Sequence, residues 1–246
     1  MRLTSVCLTM PSSATHPTIS QALINTHQRI DGACQLSMRS PKEVMLLAVS
    51  KTKPLGDVIE AYECGQRHFG ENYLQDALEK IDHNPHSDIV WHFIGAIQSN
   101  KTKTIAAKFD WVHTLDRQKV ALRLSQHRPS HLPPLNVLIQ VNISNEANKS
   151  GVALDQLDAL VEQVSQIPNL LLRGLMCIPA AGQTEQVQRD AFNKMTIARD
   201  QLQHSYPHIK ELSMGMSGDL TNAIACGSTM VRIGTDIFGA RSTSTP

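Results

Sequence analysis

The sequence predicts a single (β/α)8 barrel, and three observations carry that expectation. Strand-like apolar runs alternate with amphipathic helical patterns about eight times along the chain. Its 246 residues match the roughly 250 that such a barrel typically takes. The competing doubly wound open sheet would carry G-x-G-x-x-G after its first strand, where this chain reads Ala48-Val49-Ser50-Lys51-Thr52-Lys53-Pro54. A Walker-type G-x-x-x-x-G-K-[ST] is also missing. No Pro/Gly/Ser linker is long enough to divide the chain, and no repeat is evident, so residues 18–246 read as one barrel.

The elements follow in order. Residues 1–10 carry one Arg and an apolar run broken by Thr4, Ser5 and Thr9, without a cleavage signal. Residues 1–17 are therefore expected to be a disordered N-terminal extension and not a signal peptide, with Met10 as an alternative start. Residues 18–36 place Ile19, Leu23, Ile30 and Ala33 on one helical face, and Ser40-Pro41 closes that segment. Strands are expected at 45–50, 68–70, 89–94, 111–115, 136–142, 170–178, 211–214 and 229–233. Helices are expected between them, at 55–64, 73–81, 99–107, 117–126, 153–166, 185–205 and 218–225. A final short helix is expected after Phe238.

Composition excludes several classes of function. With 23 Lys+Arg against 22 Asp+Glu the net charge is +1, too little for a dedicated nucleic-acid binder. Aromatic residues at 4% leave little material for base stacking. Apolar runs are strand-sized, far short of a membrane span. The five cysteines are odd in number and scattered, with no C-x-x-C, which fits reduced thiols in a cytoplasmic protein. No exposed apolar helix pattern demands assembly, so a monomer is expected.

In a barrel, reactive groups stand at the C-terminal ends of strands. Period-two alternation in the first strand places Leu47, Val49 and Lys51 on one face, so an apolar stripe ends in an ammonium. Partial desolvation there would lower its pKa and make Lys51 a nucleophile toward aldehydes; the alternative is an ordinary solvated lysine. Lys53 shares the parity but lies farther out, and is the second choice. Strand seven leads into Met214-Gly215-Met216-Ser217-Gly218-Asp219, and strand eight into Gly234-Thr235-Asp236. Barrels commonly hold phosphate at these two loops, where small residues expose backbone N–H groups and Ser217 and Thr235 add hydroxyls. Arg232, inside strand eight, is either half of a buried ion pair with Asp236 or Glu71, or a donor to a ring nitrogen. A lysine for an aldehyde, a cradle for phosphate and an arginine for a pyridine nitrogen together describe pyridoxal 5′-phosphate (PLP).

Other features carry less. Gly215-x-Ser217-Gly218-Asp219 lacks the last glycine of a nucleophile elbow. The eleven histidines form no H-E-x-x-H, and no metal site is expected. His92 either lines the pocket or is a satisfied core histidine, the second being preferred; Gln98-Ser99-Asn100-Lys101 reads as a helix cap followed by surface lysines, and Lys149-Ser150-Gly151 as a loop at the barrel mouth.

Several segments together resemble one family. Leu47-Ala48-Val49-Ser50-Lys51-Thr52-Lys53-Pro54, Phe69-Gly70-Glu71-Asn72-Tyr73, Trp91-His92-Phe93-Ile94-Gly95, Arg173-Gly174-Leu175-Met176, Ser213-Met214-Gly215-Met216-Ser217 and Val231-Arg232-Ile233-Gly234-Thr235 are similar to the pyridoxal phosphate homeostasis proteins. The likeness runs from about residue 19 to 241; Gly95-Ala96-Ile97 departs from the family's usual Pro or His, then Leu, after the glycine. The resemblance implies a barrel similar to the N-terminal domain of alanine racemase, with PLP held as a Schiff base. Its lysine falls on Lys51, its phosphate-holding positions on Ser217, Gly234 and Thr235, and its ring-nitrogen contact on Arg232. Asn72 is counted with the cofactor-binding residues by the same likeness. It further implies PLP buffering without turnover, with transient transfer to apo-enzymes. An amino-acid racemase or Schiff-base lyase is the alternative. A racemase needs acid/base groups on both faces of the substrate carbon. The sequence ends soon after strand eight, and Tyr62, Tyr73 and Tyr206 lie in no appended domain, so holding the cofactor is expected over using it.

Overall fold

Eight short strands pair in parallel, each with the next, and the last returns to the first to close the sheet. They are β1 (Met45–Val49), β2 (His68–Glu71), β3 (Val90–Phe93), β4 (Trp111–Leu115), β5 (Leu135–Val141), β6 (Leu170–Cys177), β7 (Glu211–Ser213) and β8 (Met230–Ile233). The structure, a computed structural model, describes residues 17–146, 149–180 and 182–240. The extension expected at residues 1–17 thus lies outside the described residues up to residue 16. No helix among the described residues is long and apolar enough to cross a membrane.

The helices are α1 (Ile19–Leu36), α2 (Leu55–Glu63), α3 (Leu74–His83), α4 (Thr102–Lys108), α5 (Gln118–His127), α6 (Leu157–Ser165), α7 (Glu185–Gln203), α8 (Leu220–Ala225) and α9 (Thr235–Phe238). Thr18 caps α1, its hydroxyl accepting from the Gln21 amide, and Leu23, Ile30 and Ala33 are buried as the sequence period requires. The expected helix at 99–107 begins as a 3-10 turn (Ser99–Lys101), and the one at 153–166 as another (Leu154–Gln156). An additional short helix, α9, ends at Phe238, where Gly239 turns into the left-handed region at φ 74°; the helix expected after Phe238 falls mostly on residues 241–246, outside the described residues. α9 has only four residues, and the ring of helices is completed by α1, from the N-terminal part of the chain. α1 lies against α8, α9 and α2, in the place an eighth crossover helix would fill.

The pleat separates two packing regions. Leu46 and Ala48 of β1 join the large core between sheet and helices, whereas Met45 packs inside the barrel with Trp111, Leu138, Met176 and Met230. Above that apolar plug the interior turns polar, with His92, His113, Gln140, Ser213 and Arg232 all buried.

Gly174 and Gly215 are among the glycines that geometry demands. A Cβ on Gly174 would stand 1.9 Å from the Glu211 carbonyl oxygen, so β6 and β7 could not close up. Gly215 has φ +98°, and its Cβ would meet the Ala223 Cβ at 2.5 Å. Gly215→Ala should therefore destabilise the protein by about 2 kcal/mol or more. Urea unfolding checks this: the midpoint should fall with an unchanged slope.

Candidate functional site

The top of β1 is held from behind. Glu71, at the end of β2, is fully buried and accepts from the Ser50 hydroxyl and the Lys80 ammonium, each at 2.6 Å. Lys80 also donates to the Ser50 carbonyl at 2.7 Å, so a buried ion pair under α3 fixes the residue immediately before Lys51. Burial pushes the Glu71 carboxyl above its ordinary value, and Lys80 and Ser50 pull it back. After Lys51 the chain turns through Thr52 at φ 61°, a left-handed conformation that a β-branched residue adopts only when its surroundings impose it. Lys53 then reaches the far side, donating to the carbonyls of Phe238 at 2.6 Å and Ala240 at 2.9 Å. Of the two candidate lysines, Lys53 is therefore a clamp on the end of α9.

The loops after β7 and β8 meet Lys51 across one cavity of about 270 Å³. Its lining includes Lys51, Ser217, Gly218, Arg232, Gly234 and Thr235. Five of the six expected residues are thus brought together. Asn72 is the exception: it lines another hollow beside Tyr73 and Lys101, with its Oδ1 buried and without a hydrogen-bond partner among the described residues. Larger hollows, such as that of about 590 Å³ between α2 and α3, lack this convergence of a strand-end lysine with two hydroxyl-bearing loops.

Both loops are pinned. The Asp219 carboxylate accepts from the Met216 amide at 2.5 Å, and the Asp219 amide donates to the Met216 carbonyl at 3.1 Å, closing a tight turn around Ser217. Arg29 of α1 donates to the Ser217 carbonyl at 2.7 Å and pairs with Asp236 at the start of α9. Sequence reasoning missed Arg29, because nothing local marks one surface arginine on an N-terminal helix. The only available signal is the fold itself, which seats α1 between α8 and α2.

Arg232 corrects one expectation. It pairs with neither Asp236 nor Glu71, which are taken by Arg29 and Lys80. Its Nη1 donates to the Ser213 carbonyl at 2.6 Å and the Ser213 hydroxyl at 2.9 Å, and its Nη2 to the Cys177 carbonyl at 3.0 Å. Side chains alternate across the sheet, so Arg232 faces the interior while Glu71, on the other parity, faces the helices. Among the described residues no carboxylate lies within salt-bridge distance of it. A buried guanidinium held only by neutral acceptors, opening on a cavity with small residues and hydroxyls, suits an anionic ligand bearing a ring acceptor. The donor set therefore fits PLP. Burial also pushes the neighbouring Cys177 thiol up to about 12, so it is no nucleophile at neutral pH.

Residues 33–242 match the family model of the alanine racemase N-terminal domain. The chain belongs to that family. It is 52% identical over 230 residues to a pyridoxal phosphate homeostasis protein of Vibrio cholerae, covering 92% of this chain and 98% of that one. At that level of identity it is a member of the pyridoxal phosphate homeostasis proteins. Among solved structures, PipY of Synechococcus elongatus with PLP bound is similar with a TM-score of 0.80 and 33% identity, over 90% of this chain and 100% of that one. Alanine racemase from Clostridium difficile shares the fold at a TM-score of 0.68 and 11% identity, over 90% of this chain and 58% of the racemase. The barrel expected from the sequence, and its likeness to the racemase N-terminal domain, are thereby borne out.

Proposed function

We propose that this protein binds PLP covalently through Lys51 and serves intracellular PLP homeostasis as a cytoplasmic, monomeric carrier without turnover. The observation that carries the reading is the convergence of Lys51, Ser217, Arg232, Gly234 and Thr235 on one small cavity. When bound, PLP supplies an aldehyde that a lysine amine can capture reversibly and a pyridine ring that can accept electrons.

The chain's own groups favour holding it. Ser217 and Thr235 offer hydroxyls, and the first backbone N–H groups of α9 have no intrahelical partner, so phosphate finds donors on both loops. Arg232 presents N–H groups and no removable proton, so a ring nitrogen facing it stays unprotonated and the ring a weaker electron sink. No tyrosine is among the described residues that line the cavity; Tyr62 donates to Asp88 and Tyr73 flanks the hollow of Asn72. An acid/base pair spanning the cofactor is thus missing among the described lining residues.

Transfer distinguishes carrier from enzyme. The PLP-loaded protein should restore activity to an apo-form of a PLP-dependent enzyme while leaving L- and D-alanine unchanged on chiral chromatography. Racemisation at a rate above free PLP would replace the carrier reading with the racemase one.

A further inference from the structure

Three histidines cross the barrel interior in an unbroken hydrogen-bonded line that ends on Arg232. His68 Nδ1 lies 3.0 Å from His92 Nε2, His92 Nδ1 lies 2.9 Å from His113 Nε2, and His113 Nδ1 lies 2.9 Å from the Ser213 hydroxyl. That hydroxyl is the one contacted by Arg232 Nη1 at 2.9 Å. His92 and His113 are fully buried, and the ring of Trp111 stacks on His92 with the planes 11° apart. His68, first residue of β2, is half-buried at the opposite mouth of the barrel.

We propose that Ser213 and His113 are positioning residues for Arg232, and that they, with His92 and His68, form one relay whose polarity Arg232 dictates. The inference rests on the reading that Arg232 faces the cofactor's ring nitrogen. Arg232 can only donate, so the Ser213 oxygen must accept from it. The serine's own proton then goes to its other partner, His113 Nδ1. Burial keeps the inner rings neutral: it pulls His113 down to about 3, and His92 well below its usual range. A neutral imidazole has one N–H and one bare nitrogen. His113 therefore carries its proton on Nε2 and gives it to His92 Nδ1, and His92 gives its Nε2 proton to His68 Nδ1. The opposite polarity would strand the buried serine proton, which costs enough to bias the line by about tenfold. In the favoured polarity the Ser213 oxygen accepts from Arg232 while its own proton is placed on His113, so the hydroxyl is fixed at both ends and holds the guanidinium in register with the cavity.

Nitrogen-15 spectra of histidine side chains in the cofactor-free protein test this directly, with signals assigned through backbone connectivities. The expected result is the Nε2–H tautomer for His92 and His113 in the native chain. Ser213→Ala should collapse the preference at His113, and Ser213→Thr, which keeps the hydroxyl, should restore it. An Nδ1–H or mixed His113 in the native protein overturns the proposal, whether or not the variants fold. An unchanged tautomer in a folded Ser213→Ala protein overturns Ser213 as its source. Adding PLP should then shift the His113 nitrogens and leave the exposed His204 unmoved. Bound PLP without a shift at His113 overturns the coupling to the cofactor. PLP that fails to bind refutes the cofactor reading instead, and leaves the tautomer result standing.

Discussion

Lys51→Ala should abolish the borohydride-trappable PLP adduct while the protein stays folded. Lys51 stands past the end of β1 on a cavity wall, and the elements behind it are held by other residues: Ser50, Glu71 and Lys80 below, Lys53 and Phe238 beside. Deleting its amine removes the nucleophile without removing those contacts. Native protein incubated with PLP should show a visible absorbance that borohydride bleaches, with the label mapping by mass spectrometry to the peptide carrying Lys51. The alanine variant should show neither band nor label, and an essentially native circular dichroism spectrum. Residual noncovalent affinity is expected, because the phosphate and ring contacts remain. A label that persists in the variant at Lys53 would move the covalent site, against the two carbonyl bonds that hold that ammonium.

The second large effect is on stability. Lys80→Met should cost about 3–5 kcal/mol at neutral pH, the usual consequence of breaking a buried ion pair from one side. Glu71 is fully buried and already has one oxygen, Oε2, without a hydrogen-bond partner among the described residues. Without Lys80 its charge is uncompensated, so its folded pKa rises further. A carboxyl raised in the folded state binds more protons there than in the unfolded chain. Stability of the variant should therefore fall as pH climbs from the ordinary glutamate value of 4.5 through the raised one. Denaturant titrations at pH 4.5 and 7.5 check the sign: the gap between native and variant should be the smaller at acid pH. A Lys80→Met, Glu71→Gln double variant should recover much of the loss, since it removes the charge that Lys80 balances.

The same ion pair shows where sequence reasoning stops. Lys51 was legible because strand alternation and the position just past a strand end are local properties, and the loops after β7 and β8 because their small residues and hydroxyls are contiguous strings. Arg232 was legible as a buried cation, but its partners were not. The expected carboxylates lie on other faces, and the true acceptors belong to β6 and β7. Asn72 sits one residue past Glu71, yet opens on the hollow beside Tyr73. His92 was expected to be a satisfied core histidine, and it is; that its partners are two further histidines was invisible, since His68 and His113 are 24 and 21 residues away.

From the sequence alone come the kinds and order of most elements, the closed parallel barrel, the family and the place of Lys51 just past the end of β1. All are encoded in short-range periodicity or contiguous motifs, which need no knowledge of what lies across the molecule. Only the tertiary structure decides that α1 completes the helical ring, that Arg29 ties Ser217 to Asp236, and that a line of imidazoles backs Arg232. Those contacts depend on closure of β8 onto β1 and on the registers around the barrel. Distances between residues some 200 positions apart are set there, by packing, and not by any pattern along the chain.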